Sequence, residues 1–161
     1  MSTEALIDTL DKLQKLHEKL YDLAILKTEY IKKGDMEGLQ SILKDEQTFV
    51  AAIHTMEAKR LEAAKHLLGT EDDSETTLSD CIAAASEKHK DKLTTLQTNL
   101  VTSIEKLKNQ NELNQMLTYQ SLQFVNMTLD ILQPIPDTMN YGRPNEQTAQ
   151  MPSIPLFNSK V

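Results

Sequence analysis

The chain has 161 residues with four Gly, no Trp and only 4% aromatic side chains, a composition that argues for long helices and against a sheet protein or a conventional globular core. Its net charge of −7 and pI near 5.1 exclude nucleic acid or an anionic membrane as the main partner, because both select basic surfaces. The single Cys81 excludes an intrachain disulfide, no run approaches the roughly 20 apolar residues that span a bilayer, and the N-terminus has neither a basic start nor an apolar signal core. A reducing cytoplasm is the expected compartment.

In chain order, Ser2 or Thr3 is placed to cap a first helix over about 3–33, with Leu6, Leu10, Leu13, His17, Leu20, Ala24 and Ile31 at three- and four-residue steps. Leu16, Leu23 and Tyr30 widen that stripe on one side. Lys32-Lys33-Gly34 ends it, and Asp35 caps a second helix over about 36–68, with Leu39, Ile42, Leu43, Val50, Ile53, Leu61, Ala64 and Leu68 as its stripe and Gly69 as its stop. Two helices of about 30 residues, each roughly 45 Å long, joined by so short a turn must fold as an antiparallel hairpin. Lys27, Glu46 and Glu57 interrupt the stripes, which predicts a Lys27–Glu46 pair and places Glu57 near Lys12 and His17.

Residues 70–76 read as a solvated acidic connector; calcium is the alternative, but EF-hand spacing is absent. A short helix over about 77–85 drops Leu78, Cys81 and Ile82 onto the hairpin. The last helix runs over about 87–132 without Gly or Pro, close to 70 Å, and outlasts the hairpin after roughly residue 118. Its inner line is Leu93, Leu96, Leu100, Ile104 and Leu107, continued by Leu122, Val125, Leu129 and Leu132, with a polar layer at Asn111, Asn114 and Thr118. Between Leu113 and Leu132, eleven of twenty side chains are apolar and Asp130 carries the only charge. Leu113, Met116, Leu117, Phe124, Met127 and Ile131 lie opposite the inner line, so this segment is apolar on two sides and a small bundle covers only one. The other side, with Gln120 among it, is the candidate partner site, and its methionines suit clients of more than one sequence.

All five prolines lie beyond residue 133, so the fold class is all-α: a helical bundle domain over 1–132 followed by a flexible tail over 133–161, with Ile154, Leu156 and Phe157 as its apolar end. None of His17, His54, His66 and His89 is preceded by Glu at the di-iron spacing, Cys81 lacks neighbours at ligand spacing, and there is no phosphate loop or nucleophile elbow. No cofactor, metal or catalytic residue is expected, and the chain is not read as an enzyme.

The sequence from Leu20 to Arg60, with Lys27, Gly34-Asp35, Leu39, Glu46 and Met56-Glu57 followed by Arg60, together with Asn109 to Leu132 and Tyr141-Gly142, resembles the FlgN-type flagellar export chaperones over about four-fifths of the chain. That resemblance implies a cytoplasmic chaperone of flagellar type III secretion that holds hook-associated junction proteins of the FlgK and FlgL type by their C-terminal amphipathic segments. It further implies delivery to the export gate, a component of the FlhA type, with Tyr141 as the best match to the family's docking tyrosine and Tyr119 as the second choice. A self-associating coiled-coil scaffold is the competing reading, and the same exposed tip predicts a weak homodimer of the free chaperone.

Overall fold

In the computed structural model the described residues are 2–72 and 76–133. They form four helices: α1 (Ser2–Lys33), α2 (Met36–Leu68), α3 (Leu78–Ala84) and α4 (Glu87–Leu132). The chain divides into two units, Met1–Thr118 and Tyr119–Val161, with the boundary inside α4.

Local chemistry sets each end. Gly34 and Gly69 both adopt left-handed backbone, at φ 68° and 66°, where a Cβ would be strained, and they stop α1 and α2 at those points. The Asp35 carboxylate accepts the Gly38 N–H at 2.9 Å and starts α2 immediately. Thr77 caps α3 by accepting the Asp80 N–H at 3.1 Å, and its hydroxyl donates to the Asp80 carboxylate. The Ser86 carbonyl accepts the His89 and Lys90 N–H groups at the start of α4. Ser2 is already helical, so the first helix starts one residue before the expected position 3, at one of its two expected caps.

The two-residue turn folds α1 and α2 back as an antiparallel hairpin, and Lys27 reaches both Glu46 carboxylate oxygens at 2.9 and 3.0 Å. Glu57 does not reach Lys12 or His17. It binds Arg60 on its own helix at 2.9 Å, while Lys12 pairs with Asp8 at 2.7 Å and the buried His17 turns Nδ1 to the Leu13 carbonyl at 2.8 Å. A partner one turn away costs less chain ordering than one on a neighbouring helix, so the local pairs win.

The core joins Leu6, Leu10, Leu13 and Leu20 of α1, Ile53, Ala63 and Ala64 of α2, Leu78 and Cys81 of α3, and Leu93, Leu96 and Leu100 of α4. Leu43, expected in the α2 stripe, is exposed, whereas Phe49 and Met56 pack against the core. Thr76, at the end of the acidic connector, is buried rather than solvated.

The hydrogen bonds between α1 and α4 fix their direction and register. Gln14 donates to Ser103 at 2.7 Å; further along, Gln110 donates to the Thr28 hydroxyl at 2.6 Å, and the Asn114 amide donates to the Ala24 carbonyl at 2.9 Å. Residue numbers rise together on both helices, so α4 runs parallel to α1. The offset of 86 between Thr28 and Asn114 puts Lys32 about level with Thr118, and α1 has one residue left.

Candidate partner-binding site

Helical packing within Met1–Thr118 depends on α4 keeping one face on the hairpin. Leu93, Leu96 and Leu100 are buried there, Ile104 and Leu107 pack at its edge, and Asn114 closes the series, 3% exposed. Asn114 is paired at both its oxygen and its nitrogen: the side-chain carbonyl accepts the Thr28 hydroxyl at 2.5 Å, and the amide donates to the Ala24 carbonyl at 2.9 Å. This is the expected polar layer, but its other members are Thr28 and Gln110. Asn111 is only partly buried, and Thr118 is exposed with its hydroxyl turned back to the Asn114 carbonyl.

At the end of this unit, Leu113 and Met116 are exposed and Leu117 is partly buried. Within the second unit, α4 continues to Leu132, and every large apolar side chain from Tyr119 to Leu132 is exposed. On the face assigned to a partner, Phe124 is 70%, Met127 63% and Ile131 76% exposed, with Gln120 exposed beside them. On the face expected to continue the inner line, Leu122, Val125 and Leu129 are about half exposed and Leu132 is 71% exposed. That expectation is corrected: from Tyr119 onward neither apolar face is covered.

The candidate residues form a seam. Leu113, Leu117, Gln120, Phe124, Met127 and Ile131 recur at alternating steps of four and three, the spacing with which one helix lays a continuous edge against another. Met116 flanks it. Asp130 is the only charge in the segment, so the segment offers apolar surface rather than ion pairs. Tyr119 is 49% exposed, and Tyr141 lies outside the described residues, as do Ile154, Leu156 and Phe157.

No acid or base chemistry converges on the seam. Hydrogen bonding to the Lys15 ammonium, 2.8 Å away, lowers the pKa of the Asp11 carboxyl, an exposed pair far along the sequence. Burial raises the pKa of the Cys81 thiol, which sits fully enclosed in the core and is unsuited to nucleophilic work. Among the described residues, no three of His, Cys, Asp and Glu are grouped to hold a metal ion, and no helix is long and apolar enough to cross a membrane.

The architecture is that of an all-helical bundle whose last helix ends in exposed apolar side chains. The comparisons give the class a family: the chain belongs to the FlgN protein family, whose model matches residues 1–149. It is also 36% identical over 164 residues, spanning all of both chains, to a Bacillus subtilis (strain 168) protein described as uncharacterized protein YvyG. No solved structure matches the chain. Family membership makes the chain a flagellar export chaperone in its general role, and the family is one of chaperones rather than enzymes.

Proposed function

We propose that this chaperone works in the cytoplasm and captures hook-associated junction proteins of the FlgK and FlgL type by folding their C-terminal amphipathic segments as a helix along Leu113, Met116, Leu117, Gln120, Phe124, Met127 and Ile131. The observation that carries the reading is the exposed heptad-spaced seam, which presents a ready edge to an incoming helix and no charge to select one by ion pairing. Burying about 600 Å² of apolar surface contributes roughly 15 kcal/mol before the costs of ordering and association, which leaves room for micromolar, reversible capture without nucleotide hydrolysis. The loaded chaperone then docks on the FlhA-type gate component through Tyr141, with Tyr119 as the second candidate.

Titration of a C-terminal hook-associated peptide by calorimetry tests the capture step. Phe124→Asp places a charge in the middle of the seam at an exposed position; it should weaken binding at least about a hundredfold, the cost of stranding a carboxylate against apolar surface. Far-UV helicity should stay at the wild-type level. Wild-type affinity in this variant sinks the site. In a parallel gate pull-down, Tyr141→Ala should keep client affinity and lose docking; equal docking removes the role of that tyrosine.

A further inference from the structure

The client seam on α4 has six layers, and five of them are apolar: Leu113, Leu117, Phe124, Met127 and Ile131 flank a single amide, Gln120. Apolar layers are interchangeable. A helix shifted by one heptad, or turned end for end, meets the same kind of surface at each of them, and with Asp130 as the only charge no ion pair selects among those placements. Gln120 alone tells them apart, because it stands third from the Leu113 end and fourth from the Ile131 end. Its side chain is exposed, and among the described residues its amide makes no hydrogen bond, so donor and acceptor are both open to a partner. The bundle already has one such layer of its own. Asn114, 3% exposed in the apolar line of α4, accepts the Thr28 hydroxyl at 2.5 Å and donates to the Ala24 carbonyl at 2.9 Å, which holds α4 in register on α1.

We propose that Gln120 sets the register and direction of the client, and that the captured segment carries one amide or hydroxyl side chain, from Asn, Gln, Ser or Thr, on its apolar face at the layer that meets it. The proposal rests on the capture of hook-associated segments along this seam and adds the chemistry by which one placement is chosen. A client that sets Leu or Ile against Gln120 buries an amide without a partner and loses at least about tenfold in affinity. A client that slides to avoid it leaves an apolar layer in water at one end of the seam. One that meets it with an amide satisfies donor and acceptor together. A single polar layer weakens a helix pair and makes it selective, which suits a client that is held and then released.

Calorimetry on the full chain with a synthetic C-terminal peptide of a hook-associated protein tests this, using wild type, Gln120→Leu and Phe124→Asp, each checked by far-UV circular dichroism. In the peptide, each polar residue of the apolar face is replaced by Leu in turn. Against wild type, one of these replacements should weaken binding at least about tenfold; against Gln120→Leu the same replacement should be neutral or tighten binding. A second peptide of identical composition has that polar residue exchanged for the apolar residue one layer along. It should bind wild type at least about tenfold more weakly than the original peptide, and Gln120→Leu within about threefold of it. The proposal is overturned by a bound peptide with no amide or hydroxyl on its apolar face, by Leu replacements that are all neutral or favourable against wild type, or by losses of equal size in wild type and Gln120→Leu. Those results leave the capture site standing when Phe124→Asp still loses the original peptide. A peptide that wild type does not bind, or that Phe124→Asp binds as tightly as wild type, removes the capture site and the role of Gln120 with it.

Discussion

Cys81 shows how far a single residue's surroundings decide its chemistry. The apolar neighbours Leu78 and Ile82 in the sequence point to a small buried side chain, and the structure encloses the thiol completely, with burial raising its pKa. Its reaction with a thiol reagent at pH 7.5 should be at least about a hundredfold slower in the native chain than in denaturant, because attack waits for local opening. Equal rates would show that α3 does not seal the core. The neutral thiol also sets a sign for stability: the folded pKa is raised, so the contribution is intact below the unfolded value near 8.5 and declines as pH rises above it. The charged residues divide differently. Lys27 and Glu46 meet across the hairpin because the turn at Gly34-Asp35 dictates their register, but Glu57 turns to Arg60, three residues away. Turn arithmetic brings two backbones level; it does not rank a cross-helix partner against a nearer one on the same helix.

Among the elements, the α1–α4 pair depends on one buried polar layer. Gln110 donates to the Thr28 hydroxyl, Asn114 accepts from it, and the Asn114 amide donates to the Ala24 carbonyl, so a sliding α4 would bury unpaired amides. Asn114→Ala removes its two bonds, to Thr28 and to the Ala24 carbonyl, and leaves a void, and should destabilise the chain by about 2 kcal/mol in urea unfolding. Asn114→Leu should be as stable as wild type or more so, since Thr28 and Gln110 keep each other as partners while the new side chain adds apolar burial. If Leu also costs about 2 kcal/mol, the layer contributes by shape rather than by hydrogen bonding. Asn114 was legible as a polar interruption in an apolar stripe. Its partner Thr28 was not, since a Thr between Ala24 and Ile31 reads equally well as the solvent edge of α1.

For the whole molecule, Gln120, Phe124, Met127 and Ile131 of the proposed client seam fall in the unit Tyr119–Val161, while Leu113, Met116 and Leu117 fall in the unit Met1–Thr118. The large apolar side chains from Tyr119 to Leu132 are all exposed and add little to the core. A chain ending at Thr118 should therefore melt within about 5 °C of the full chain while losing client capture; a drop beyond about 15 °C would show that the removed turns stabilise the bundle. What the sequence determined by itself was the set of helices and the hairpin, because periodicity, Gly stops and Asp or Thr caps are local and act within a few residues. It also determined that residues 113–132 hold more apolar surface than charge. Only the tertiary structure decided which sides of that segment stay open. Helix lengths already place the end of the hairpin near residue 118, yet one apolar face is expected to be covered; the α1–α4 register exhausts α1 near Thr118, and beyond it both faces are exposed. Burial needs a partner helix at the same height, and helical spacing along one chain carries no information about where another chain segment ends.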